Sequence, residues 1–136
     1  MMALKDAARA RRLRYGAAHD WTLNPVKGLP QPYIDLFNAQ CDLFAPNLGW
    51  AATTPLAGTP DPQHTDPGIA MFPNCQLTGA HFVWHQQIPA WAATLTDPVA
   101  LQAAITTHIN GMAAKYSGAF SWNVVNTPVP RPPDAS

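Results

Sequence analysis

Gly79-Ala80-His81-Phe82-Val83-Trp84-His85-Gln86-Gln87-Ile88-Pro89-Ala90-Trp91 opens the most informative part of this chain. Lys115-Tyr116-Ser117-Gly118-Ala119-Phe120-Ser121-Trp122-Asn123-Val124-Val125-Asn126-Thr127 closes it. The opening stretch follows Cys75-Gln76-Leu77-Thr78, and residues 75–84 suit one strand. Pro89 and Trp91 mark the loop that leaves it. Thr96-Asp97-Pro98-Val99 then starts a helix: Asp97 can cap free amides, and Pro98 takes the first helical position, where a missing N–H costs nothing. Leu101, Ile105, Ile109, Met112 and Tyr116 repeat at helical spacing and form its core stripe. Gly118 stops it, and residues 120–125 suit the next strand. The unit is strand, loop, helix, strand, with Trp, His, Gln and Asn at the strand ends.

The same alternation extends upstream. Residues 13–18 read as a short first strand, with His19, Asp20 and Trp21 at its end. Tyr33, Leu36, Phe37 and Gln40/Cys41 have the spacing of a short amphipathic helix. Residues 43–47 then form a second buried strand, with Trp50 just beyond. Between Thr53 and Asn74 the pattern breaks. Pro55, Gly58, Pro60, Pro62, Pro67, Gly68 and Pro73 punctuate it, and proline blocks helix interiors. An irregular loop is expected there, with Ile69-Ala70-Met71-Phe72 as one apolar turn. Strands alternating with helices argue for parallel pairing. The predicted fold class is therefore α/β: a partial (β/α)8 barrel of about four βα units with one degraded helix. A full barrel takes roughly 250 residues.

Three segments follow from this pattern. Residues 1–14 form a basic leader helix carrying Lys5, Arg9, Arg11, Arg12 and Arg14, expected to be solvated. Residues 15–127 form the partial barrel. Residues 128–136 form a Pro-rich extended tail.

Composition excludes several functions. The 136 residues carry no net charge and are only 12% charged, so nothing draws them to nucleic acid or an anionic membrane. No apolar run is long enough to span a bilayer. No secretory signal core is visible at the N-terminus, which leaves the compartment open. Cys41 and Cys75 are too few for a disulfide framework and read as buried free thiols. All eight acidic residues are Asp, so no mechanism can draw a glutamate from this chain. His81 and His85 are four apart, but the residues between them are strand-like and no third ligand accompanies them. No metal or cofactor is expected, and no Gly-x-Ser-x-Gly or phosphate loop appears.

Trp84, His85, Gln87 and Trp91 make a polar-aromatic patch: aromatic faces stack on sugar C–H surfaces, and His and Gln bond hydroxyls. A core Trp beside a satisfied His is the plainer alternative. Asn126, at the C-terminal end of its strand, falls on the active face of a barrel. On its own it is equally a turn residue before Pro128.

These residues resemble glycoside hydrolase family 10, the endo-β-1,4-xylanases. The stretch from Gly79 to Trp91 is similar to the family's R-G-H-T-L-V-W-H-x-Q-x-P-x-W. His108-Ile109 and Lys115-Tyr116-Ser117-Gly118 resemble its H-I and R-Y-K-G. Trp122-Asn123-Val124-Val125-Asn126-Thr127 resembles W-D-V-V-N-E. Residues 41–50 resemble the P-E-N-E-x-K-W region. The resemblance runs from about Tyr15 to Asn126 and is weak over residues 53–74. It implies a (β/α)8 barrel and retaining hydrolysis of xylan by two glutamates, one acid/base and one nucleophile. It also implies substrate-binding roles for Asn47, Trp84, His85, Gln87 and Asn126.

The departures are as informative. The acid/base glutamate falls on Thr127, the first histidine of R-G-H on Ala80, the cleft lysine on Gly49, and the aspartate of W-D-V-V-N-E on Asn123. The nucleophile belongs to a later strand than any present. No catalytic residue is therefore assigned. The chain is expected to be an inactive, truncated relative that at most binds xylan-like oligosaccharide weakly, with open barrel edges available for self-association. The rival expectations are an enzyme fragment without a function of its own, and an interaction module using the basic N-terminal helix.

Overall fold

The computed structural model describes residues 2–19, 29–58 and 66–126. Its elements run α1 (Leu4–Arg9), β1 (Gly16–His19), α2 (Gln31–Gln40), β2 (Leu43–Pro46), α3 (Trp50–Thr53), α4 (Asp66–Ala70), β3 (Gln76–Leu77), β4 (Ala80–Trp84), α5 (Ala90–Ala93), α6 (Pro98–Lys115) and β5 (Trp122–Asn126). Among the described residues every strand pair is parallel. Gly16 stands opposite Leu43, Leu43 opposite Gln76, and Ala80 opposite Trp122. Parallel neighbours need crossover connections, and the helices supply them.

The single strand expected over residues 75–84 is two short strands. Gly79 adopts φ +63°, a left-handed conformation that interrupts the ladder. β3 pairs with β2, and β4 with β5. The halves stay connected: Thr78 N–H donates to Phe44 O at 2.9 Å, and Gly79 N–H to Ser121 O at 3.1 Å. Phe120 N–H donates to Leu77 O at 2.7 Å. The kink turns one strand to serve both neighbours, so the strands curl as they would in part of a barrel.

Two apolar clusters pack the helices on this curl. Phe37 of α2, Cys41, Phe44 of β2 and Phe72 form the first, with Phe37 and Phe72 ring centroids 4.4 Å apart. Leu48, Phe82 of β4 and Met112 of α6 form the second. Ile69 of α4 packs against both. The proline-rich stretch is therefore less irregular than expected. α4 forms within its described part and joins the two clusters. Asp66 fixes α4 to the end of α6 through Lys115 Nζ at 2.7 Å and the Tyr116 hydroxyl. Burial, and next this hydrogen bond, push the Tyr116 phenol up from its ordinary value. Likewise, α5 replaces the loop expected at residues 89–91, with Pro89 at its N-cap.

The start of α6 is as expected: Asp97 Oδ1 accepts from Val99 N–H at 3.0 Å, and Pro98 opens the helix. Its buried face differs. Met112 is buried, Leu101, Ile105, Ile109 and Tyr116 only partly, and the second buried residue is His108. His108 Nε2 lies 3.1 Å from Phe82 O, and Nδ1 lies 3.0 Å from Thr54 Oγ1. A carbonyl can only accept, so Nε2 carries the proton and Nδ1 accepts from the threonine. The ring stacks on Trp50 at 5.6 Å.

α1 is shorter than the expected leader helix: it ends at Arg9, and a turn follows in which Arg12 has φ +59°. Nor is it a free solvated arm. Lys5 Nζ donates to Asn38 O at 2.8 Å, and Arg9 pairs with Asp42, whose side chain is buried. Arg14 reaches the same carboxylate at 3.6 Å, and its guanidinium lies over the Phe120 ring at 5.4 Å. Asp42 and Phe120 both precede strands, so these arginines brace the N-terminal end of the curl. The thiols are free, as expected. Burial, and next the neighbouring Cys41, push the Cys75 thiol up to about 11.

Candidate functional site

A cleft of about 180 Å³ opens where the strands end. Ala18 of β1 and Ala45 and Pro46 of β2 form one side. Asn47, His81, Trp84 and Gln87 supply the rest, with Gly79. Ala18, Ala45, Pro46, Asn47 and Trp84 lie at or just past C-terminal strand ends, where barrels of this class carry their chemistry, while Gly79 and His81 lie at the start of β4. Small residues on β1 and β2 leave the space, and β4 fills its far wall with an indole and an imidazole.

Asn47 is buried directly after β2, and its Oδ1 accepts from Gly49 N–H at 3.0 Å. That local bond fixes the amide before any ligand arrives. Trp84 ends β4, with its ring edge-on to His81 at 5.5 Å. Gln87 closes the single 3₁₀ turn His85–Gln87 that follows the strand, and this turn brings its side chain back to the cleft. Gln87 Oε1 lies 3.1 Å from His81 Nε2. An amide oxygen can only accept, so this contact requires the proton on His81 Nε2.

Of the residues expected to bind substrate, Asn47, Trp84 and Gln87 meet in this cleft. His85 and Asn126 are not part of its lining. His85 is exposed at the start of the 3₁₀ turn, with its ring 6.0 Å from that of Trp84. Asn126 ends β5, half-buried and in register with Trp84. Thr127, Asp20 and Trp21 lie outside the described residues.

His81 is the cleft residue that the sequence did not single out. Its spacing to His85 does not support a metal pair, and in the structure its side-chain partner is Gln87. Strand alternation was the available signal, because the buried Phe82 turns its neighbours to the opposite face. Gly49 was seen only as a departure from the family pattern, and its contribution is spatial.

Chemically, the described lining offers an amide on each side, an imidazole and an indole. Such a set hydrogen-bonds hydroxyls and stacks against an apolar ring face. Among the described residues, no carboxylate lines it. The buried Asp42 lies at the opposite end of β2.

A parallel curl, helices between successive strands and a polar-aromatic cleft at the strand ends together define part of a (β/α)8 barrel. The profile of glycosyl hydrolase family 10 matches residues 3–135, and the chain belongs to that family. Among curated relatives, endo-1,4-beta-xylanase 2 of Claviceps purpurea is 39% identical over 51 residues, covering 37% of this chain and 16% of that protein. Endo-1,4-beta-xylanase 3 of Hypocrea jecorina is 33% identical over 51 residues, with 37% and 15% covered. Among solved structures, endo-1,4-beta-xylanase XylE of Penicillium canescens superposes with TM-score 0.78 at 18% identity, over 93% of this chain and 39% of that one. A Bispora sp. MEY-1 family 10 xylanase, solved with xylobiose, gives TM-score 0.73 at 19% identity, with 91% and 40% covered. The chain thus spans about two fifths of the barrels it superposes on.

Proposed function

We propose that this chain holds uncharged xylan-type sugars weakly in the strand-end cleft and does not cleave them. The convergence of Asn47, His81, Trp84 and Gln87, with no carboxylate among the described lining, carries this reading. Retaining hydrolysis needs two carboxylates about 5–5.5 Å apart, and the sequence contains no glutamate. Loss of general acid/base help alone is worth ~10²–10⁴-fold in rate. In this proposal residues 15–127 carry the binding domain and residues 1–14 brace it; the Pro-rich segment 128–136 lies outside the described residues. His85 and Asn126 act only on the parts of a sugar that extend past the cleft.

Trp84→Ala tests the reading. Titration with xylotriose, followed by tryptophan fluorescence, should show at least ~10-fold weaker binding, the loss of one aromatic platform. Equal affinity in the variant would place the sugar elsewhere.

The strand edges favour a second reading, in which two copies associate. Among the described residues, β1 and β5 each pair on one side only. Val124 and Val125 on β5 are 44% and 46% exposed, and Phe120 is 54% exposed. On the other flank, Met2, Leu4, Tyr15, Tyr33 and Leu36 line an apolar groove of about 480 Å³. A two-fold rotation about the curl axis would set each β5 beside the other copy's β1, with all strands parallel. Unpaired apolar edges are templates for such pairing. Light scattering should find a concentration-dependent dimer that Val124→Lys shifts to monomer. A wild-type monomer at every concentration would remove this reading.

A further inference from the structure

We propose that Gly49 sets the specificity of the cleft, through space it leaves for Gln87. This rests on the sugar-binding reading above and goes beyond it. Gly49 is buried, directly after Asn47 and Leu48. Its φ of −55° is open to any residue, so backbone strain does not explain a glycine here. Space does. A Cβ built on Gly49 would collide with Gln87 Oε1 and come within 3.0 Å of Asn47 Oδ1. The Gln87 carbonyl therefore occupies the volume that a side chain at position 49 would take.

Gly49 connects the two amides of the cleft. Its N–H holds Asn47 Oδ1, and its missing side chain admits Gln87 Oε1. His81 Nε2 secures that oxygen from the other side. The result is a cleft floor of two oriented amides and one imidazole, with no ammonium or guanidinium among the described lining residues. Oriented neutral dipoles suit sugar hydroxyls. A carboxylate on the sugar would lose water and gain no cation in return. The substrate class is thus a neutral pyranose chain, with uronic-acid units disfavoured. Gly49 is a positioning residue: it acts through Gln87.

The test uses the full chain in four forms: wild type, Gly49→Ala, Gln87→Ala and the double variant. The first readout is the His81 imidazole NMR signal without sugar. Gly49→Ala should shift it by expelling Gln87, and the shift should be the same when Gln87→Ala removes the partner directly. The second is titration with neutral xylotriose and with a xylo-oligosaccharide bearing glucuronic acid. Wild type should prefer the neutral sugar by about tenfold or more. Gly49→Ala should weaken neutral binding by about tenfold and have no further effect in the Gln87→Ala background, because coupled residues are not additive. Retained folding of each variant is read from its melt. An unmoved His81 signal in a folded Gly49→Ala variant overturns this inference alone. A His81 shift with no binding of either sugar by wild type overturns the sugar-binding reading, and the specificity with it. Equal affinity of wild type for both sugars overturns the specificity.

Discussion

His108→Ala should unfold this chain at temperatures where the wild type is stable. The imidazole is 1% exposed and ties α6 to two other elements: to α3 through Trp50 and the Thr54 cap, and to β4 through Phe82. Removing it leaves the Phe82 carbonyl and the Thr54 hydroxyl without their partner and opens a cavity under Trp50. Truncations of this kind cost about 3–5 kcal/mol, and whole domains are stable by only about 5–15 kcal/mol. A denaturant melt should show the midpoint falling by a large fraction, or no folded baseline.

The same residue predicts how stability follows pH. Burial lowers the His108 pKa from 6.5 to about 4, against an opposing pull from the Phe82 carbonyl. The native state keeps the ring neutral while the unfolded chain protonates it. The stabilisation is therefore complete above pH 6.5 and is lost as pH falls toward 4. Below 4 both states carry the proton and this dependence flattens. A shift of this size corresponds to about 3 kcal/mol. His108→Gln, measured by denaturant melts across this window, should lack that component. An unchanged pH profile would show that His108 is not held neutral.

Phe44→Ala has the second large effect expected. Phe44 is 1% exposed on β2, the strand paired on both sides. Its ring lies 5.6 Å from Phe37 and 4.8 Å from Phe72, so it ties α2 and the end of the proline-rich stretch to the sheet. An alanine there should cost about 3–5 kcal/mol. Phe44→Leu, which keeps most of the volume, should cost much less. The difference between the two variants in thermal midpoint measures how far this cluster holds the α2 side of the curl. Equal, small shifts would mean that the cluster is loosely packed.

Local chemistry made several elements legible in the sequence. The Asp97-Pro98 start of α6, the amphipathic spacing of α2 and the strand character of residues 43–46, 80–84 and 122–126 each follow from short-range rules. The parallel arrangement followed from their alternation. What the sequence concealed depends on distant partners. α4 exists in a proline-rich stretch because Asp66 meets Lys115 and Tyr116, about fifty positions away, and because Ile69 packs against both clusters. Arg9 and Arg14 read as part of a solvated face because their partner Asp42 lies far along the chain.

The cleft divides along the same line. Trp84 and Gln87 stand out in the sequence as a polar-aromatic patch, and Asn47 through motif resemblance. His81 and Gly49 act through one hydrogen bond and one absent Cβ, which no local pattern displays. In the sequence His108 stands out only as part of the His108-Ile109 pair that resembles the family's H-I. Only the structure shows that both its nitrogens are engaged.

A thermal melt with and without xylotriose decides whether this chain is a folded partial barrel with a working sugar cleft. A cooperative transition is predicted, moving up by about 3–6 °C at ten times the dissociation constant, where ligand contributes roughly 1.4 kcal/mol. A cooperative transition that ignores saturating xylotriose, or a broad melt with no cooperative unit, would contradict it.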